Sequence, residues 1–139
     1  MDLVGQLLGR SAAMGVLGIG GVFFRAADPD ALNEWYRKHL HVGAGCNADA
    51  TGPVDKWSWT AMGGATVFAP FKADTDYFPA DKQYMLNFRV EGIDALLASL
   101  RDAEIEVITK PEWNDPQTGK FARIHDPEGN PIELWEPPA

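Results

Sequence analysis

Apolar and polar positions change period along this chain, and the changes mark out its elements. Leu17 to Ala27 (LGIGGVFFRAA) alternates, with Val22, Phe24 and Ala26 on one face and Gly21, Phe23 and Arg25 on the other. A two-residue period of this kind predicts a strand. Asp28 and Pro29 then supply an N-cap and a first helical residue, and Ala31, Leu32, Trp35, Tyr36 and Leu40 recur at helical spacing. Val42 to Cys46, Lys56 to Met62 and Ala65 to Phe71 read as short strands, the last two joined at Gly63-Gly64. Lys72 to Lys82 (KADTDYFPADK) is a polar connector that contains Tyr77 and Phe78.

The pattern then begins again. Gln83 to Val90 is strand-like. Gly92 to Ala103 is helical, with Ile93, Leu96, Leu97 and Leu100 as its stripe, and Glu104 to Thr109 is a strand. Pro111 to Gly119 is a loop. Phe121 to Glu136 (FARIHDPEGNPIELWE) holds two alternating runs around Asp126-Pro127-Glu128-Gly129-Asn130, the signature of a hairpin. One constant shift pairs Phe24 with Phe88, Arg25 with Arg89, Asp30 with Asp94, Leu32 with Leu96 and Arg37 with Arg101, so the chain is an internal repeat. The expected organisation is a flexible leader (1–16), a first βαβββ module (17–71), a connector (72–82) and a second βαβββ module (83–139). Together they make one α+β domain, 17–138. Each half is expected to bury one sheet face under its own helix.

Composition narrows the function classes. Hydrophobic residues make up 45%, enough for a sizeable core, and the net charge of −8 with no basic stripe argues against a nucleic-acid partner. Cys46 is the only cysteine, which removes a disulfide framework within the chain and a cysteine zinc site, and fits a cytoplasmic setting. The apolar start lacks the positive flank of a signal peptide, since Asp2 precedes any basic residue and Arg10 interrupts the run. Ala12 to Phe24 is too short and glycine-rich to span a bilayer, so no membrane partner is expected.

Strand parity sets a lining for a cavity between the modules. Phe23, Arg25, Met85, Asn87 and Arg89 fall on the faces away from the helices, and Phe121, Arg123, His125, Glu133 and Trp135 join them from the hairpin. Trp57 and Trp59 are further candidates. Aromatic walls with a few converging polar groups suit a small molecule. Glu133, a carboxylate between Ile132 and Leu134 on a closing strand, is either solvated or aimed at that cavity.

A βαβββ unit used twice and closed by DPEGNPIELWEP resembles the vicinal oxygen chelate superfamily, which includes glyoxalase I, extradiol dioxygenases, fosfomycin-resistance enzymes and bleomycin-resistance proteins. The resemblance is carried by GVFFRAADPDALNEWYRKHL, MLNFRVEGIDALLASL and FARIHDPEGNPIELWEP, and it runs from Leu17 to Pro138. It is nearest to glyoxalase-like members that share TVFAPFKADTDYF. It implies the glyoxalase/bleomycin-resistance fold, a curved mixed sheet of two tandem modules around a cleft, and a homodimer.

Metal-using members carry a His on the first strand of each module and a Glu late in the first. Those His positions are Gly21 and Met85 here, and no ionisable side chain lies between Ser58 and Phe71. Only Glu133 survives. No cofactor is therefore expected, and a divalent metal on Glu133 is the alternative, because one carboxylate does not supply the three or four donors such an ion needs.

Two functions of different class follow. One is a metal-independent protein that binds a small aromatic or planar molecule, with Phe23, Arg25, Trp57, Trp59, Asn87, Arg89, Phe121, Arg123 and Trp135 as its contacts. The other is a lyase, isomerase or dioxygenase-like enzyme that uses Glu133 as acid/base or metal ligand, with His125 as its catalytic partner.

Overall fold

The computed structural model describes residues 15–43 and 52–139. Most of the expected leader, and the Val42 to Cys46 strand beyond Gly43, lie outside them. The elements are α1 (Pro29–Leu40), β1 (Leu86–Arg89), α2 (Ile93–Asp102), β2 (Asn114–Asp115), β3 (Gly119–His125) and β4 (Pro131–Glu136), with short 3-10 turns at Val54–Lys56 and Pro111–Trp113. The architecture is α+β. One open, mixed four-stranded sheet has the order β1-β4-β3-β2, with β1 parallel to β4 and the other neighbours antiparallel. Among the described residues no helix is long and apolar enough to cross a membrane.

The β3–β4 hairpin forms from its own turn. The Gly129 amide donates to the Asp126 carbonyl at 2.9 Å, and Gly129 takes the positive φ of 81° that a side chain would resist. The buried Asp126 carboxylate accepts from the amides of Glu128 (2.8 Å) and Asn130 (3.1 Å) and from the Asn130 side chain (2.8 Å). A carboxylate used in this way closes the corner without leaving buried donors unmet.

Alternation along the two strands does the rest. Ala122, Ile124, Ile132 and Leu134 are fully buried on one face. Each Ile or Leu there contributes about 1.5–3 kcal/mol by leaving water. The strand expected from Gln83 to Val90 is shortened to β1. The one expected from Glu104 to Thr109 touches β3 only at an antiparallel bridge between Ile108 and Arg123.

Both helices pack on that same face. Leu32 and Tyr36 of α1 join Ile93, Leu97 and Leu100 of α2 and the four hairpin residues in one core. The expectation that each half buries its own sheet is corrected here, and the cause is polar anchoring. The Tyr36 hydroxyl donates to Asp126 at 2.7 Å, and the Glu128 carboxylate accepts from the amides of Ala27 (2.7 Å) and Asp28 (3.0 Å). These bonds fix the start and the middle of α1 to the hairpin turn. Asp28 caps α1 by accepting from the Ala31 amide at 3.1 Å.

The opening half otherwise differs from its repeat mate. Residues 15–27 and 58–71 form no strand, and Phe23 is 95% exposed, Phe68 86% and Met62 83%. A strand's amides and carbonyls need a neighbour across the ladder. None of the described residues supplies one to these segments.

Candidate functional site

The sheet face opposite the helices carries the polar groups. Parity and register align them in rows. Asn87 of β1, Glu133 of β4 and Arg123 of β3 stand side by side across the middle, and Arg89, Trp135 and Phe121 form the next row. His125 and Pro131 follow on the other side. The connector 72–82 covers this face where the helices do not.

Glu133 is 8% exposed. One carboxylate oxygen accepts from the Asn87 side-chain amide at 2.8 Å, and the other accepts from the Tyr77 hydroxyl. Burial first, and then this bond to Glu133, push the Tyr77 phenol up to about 12. Phe121 and Trp135 stack nearly parallel, 7° apart with centroids at 6.0 Å, and the Trp135 indole donates to the Thr118 carbonyl at 2.7 Å. That bond fixes the edge of the indole ring.

Two cavities meet at Phe78, which lines both, whereas Tyr77 lines only the smaller. The larger, about 1260 Å³, is lined by Asn87, Glu133, Phe121 and Trp135 together with Met85 and Phe71. The smaller, about 550 Å³, is lined by Arg123 and His125 from the sheet and by Asp74 to Ala80 from the connector. Phe71 packs against both Tyr77 (5.6 Å) and Phe78 (5.7 Å), and the bond from Tyr77 to Glu133 ties the connector to the sheet.

The structure thus brings together Asn87, Glu133, Phe121 and Trp135 in the larger cavity, and Arg123 and His125 in the smaller. Arg89 points elsewhere. Its guanidinium donates to the carbonyls of Met62 (2.9 Å) and Gly63 (3.3 Å), and it lies so close to Gly64 that a Cβ there would meet its Nη1. Phe23 and Arg25 are exposed and line neither cavity. The Trp57 indole donates to the Gly52 carbonyl at 3.2 Å. Trp59 lies edge-on to Phe88 at 6.3 Å, and Phe88 packs against the core on the helix side. Among the described residues no group of three or more His, Cys, Asp and Glu could hold a metal ion.

Tyr77, and Trp113, which meets the Tyr77 ring edge to face at 6.1 Å, are the residues beside the site that strand patterning missed. Both lie in irregular segments where no period exists to assign a face. The available signal was compositional, an aromatic residue inside an otherwise polar connector or loop.

No protein-family model matches the chain, and no curated protein sequence matches it. Among solved structures it is similar to the crystal structure of TnmS3, an antibiotic binding protein from Streptomyces sp. CB03234. The two are 24% identical, the match covers 88% of this chain and 99% of that chain, and the TM-score is 0.49. At that similarity the function of this protein has to come from the geometry of its own site.

Proposed function

We propose that the protein binds a small planar or aromatic molecule in the larger cavity without a metal, as a member of the vicinal oxygen chelate superfamily. The observation that carries this reading is the buried Glu133 carboxylate beside the Phe121–Trp135 stack, with both of its oxygens already fixed by Asn87 and Tyr77. A positioned acceptor next to an aromatic face suits a planar cation, which gains from the charge and from the ring.

Titrations of planar cations and of planar neutral compounds, followed by tryptophan fluorescence, test it. Glu133→Gln should weaken the cations about tenfold, in line with loss of a charge-assisted contact, and leave the neutral compounds unchanged. Trp135→Ala should weaken both classes. Binding untouched by either substitution would overturn the reading.

A second reading, an enzyme with Glu133 as acid/base, is favoured by one observation. The Tyr77 hydroxyl donates directly to Glu133 at the edge of the cavity, a route for a proton between two side chains. Turnover of dicarbonyl compounds should then be lost in Glu133→Gln and reduced in Tyr77→Phe. Turnover that persists in Glu133→Gln excludes this role.

We further propose a homodimer in which the strands of the first module pair with a second copy, so that both βαβββ modules are complete. Support comes from the exposed Val16, Leu17, Phe23, Met62, Val67 and Phe68, and from β1, which ends the sheet with an unpaired outer edge among the described residues. Sedimentation at micromolar concentration should give a dimer, and Phe23→Asp with Phe68→Asp should give a monomer. A wild-type monomer would overturn it.

A further inference from the structure

Arg123 is a buried cation that meets rings instead of a counter-charge. It is 6% exposed, its Nε and Nη2 have no hydrogen-bond acceptor among the described residues, and it forms no ion pair among them. Its backbone is fixed on both sides, by Glu133 across the hairpin and by Ile108, with which it exchanges amide bonds of 2.8 and 2.9 Å. The guanidinium carbon lies over the Tyr77 ring at 4.9 Å and over the Trp113 ring at 5.7 Å, and the two rings meet edge to face at 6.1 Å. The charge therefore sits in a corner made by two aromatic side chains, against the electron-rich face of each.

Tyr77 has few other ties. It lies in the connector 72–82, which contains no helix or strand. Its amide donates to the Thr75 hydroxyl at 3.2 Å within the connector, and Phe71 packs on its ring at 5.6 Å. Among the described residues two hydrogen bonds cross from the connector to the β3–β4 hairpin. One runs from the Tyr77 hydroxyl to Glu133, and the other is a long contact of 3.5 Å from the Lys82 amino group to the Glu128 carbonyl. The carboxylate in the larger cavity thus takes one of its two donors from a ring that Arg123 supports.

Glu133 is also the register partner of Arg123. A direct ion pair would turn the carboxylate toward the guanidinium, which lines the smaller cavity and not the larger. The phenol keeps the two charges apart instead, with the cation on the face of its ring and the carboxylate on its hydroxyl. Burial first, and then Glu133, push the Tyr77 phenol up, and the Arg123 charge works in the opposite direction, which strengthens the hydroxyl as a donor. We infer that Arg123 is a positioning residue for the larger cavity: by holding the Tyr77 ring on its guanidinium it keeps the phenol on Glu133 and the carboxylate turned to the ligand. Arg123 itself does not touch that ligand. The ligand part of this role rests on the larger cavity binding a planar cation, whereas the hold on Tyr77 does not.

Labelling the tyrosine Cζ carbons of the full chain tests the hold without any ligand. The Tyr77 resonance is the one missing from Tyr77→Phe, and Glu133→Gln shows which way it moves when the carboxylate acceptor is lost. Arg123→Met should move it the same way, and Arg123→Lys, which keeps the charge but not the planar group, should move it less. Removing a buried charge that lacks acceptors should not lower the urea midpoint. In the wild-type protein, independent of whether any variant folds, the Arg123 Nε–H resonance should lie upfield of a solvated arginine because two ring faces shield it. Fluorescence titration with planar cations then tests the consequence. Arg123→Met should weaken them about fivefold, the worth of one cation–ring contact, and leave neutral planar compounds unchanged. In a Tyr77→Phe background the same substitution should have no further effect, since the hydroxyl through which Arg123 acts is gone. An unmoved Tyr77 resonance, an unshielded Nε–H, or an undiminished effect of Arg123→Met in the Tyr77→Phe background would each overturn this role alone. Wild-type protein that binds no planar cation would overturn the larger cavity's assignment and this role with it.

Discussion

The closing half of the chain and the opening half differ in what their apolar side chains touch. Ile124, Ile132 and Leu134 are sealed between a paired sheet and two helices, whereas Phe23, Met62 and Phe68 face solvent from segments that join no strand ladder among the described residues. The one element of the opening half that settles into the core is its helix. A helix satisfies its backbone from within, so α1 needs only a place to put Leu32 and Tyr36. A strand needs a neighbour, and the closing half provides one through the Asp126 turn, while no such turn joins two strands among the described residues of the opening half. What separates the halves is therefore the availability of a partner ladder.

Substitutions in the two regions should measure that difference. The largest contrast is between Leu134→Ala and Phe23→Ala. The first empties a fully buried site and should cost about 2–5 kcal/mol in urea unfolding. The second alters an exposed ring and should stay within about 0.5 kcal/mol for dilute protein. A Phe23→Ala cost comparable with that of Leu134→Ala would break the comparison, because it would mean that the opening segment is packed.

A smaller effect tests the link between the halves. Asp126→Ala removes the acceptor of the Tyr36 hydroxyl as well as the turn's own bonds, and should cost about 3 kcal/mol by leaving buried donors unmet. Amide hydrogen exchange should then rise in α1 more than in α2. Equal protection of the two helices in Asp126→Ala would show that α1 is held without the Tyr36–Asp126 bond.

The smallest effect concerns the connector over the site. The Tyr77 phenol is pushed from 10.0 up to about 12 in the folded protein. Its contribution to stability is therefore complete below pH 10 and is lost as pH rises from 10 through about 12, where the unfolded chain gives up the proton and the folded chain still holds it. Tyr77→Phe should make the loss of stability over that window shallower, as read from urea midpoints at successive pH values. An unchanged slope would mean that Tyr77 titrates freely.

Legibility in the sequence followed the same line. The sequence by itself determined the elements whose cause is local. Asp28 and Pro29 begin α1, Gly92 and Ala103 bracket α2, and Asp126 to Asn130 set the hairpin corner. The two-residue period also placed Asn87, Phe121, Arg123, Glu133 and Trp135 on one face, because parity is fixed once a strand exists.

Only the tertiary structure decided which predicted strands would find partners, and that both helices would share one sheet. It also decided which neighbours the two central charges would take. Glu133 and Arg123 are adjacent in register and could have paired with each other. Tyr77 and Trp113, arriving from segments without a period, gave Glu133 a phenol and Arg123 two ring faces. Local chemistry fixes the shape of a turn and the face of a strand, whereas the partner of a buried charge is set by residues that are distant in the chain.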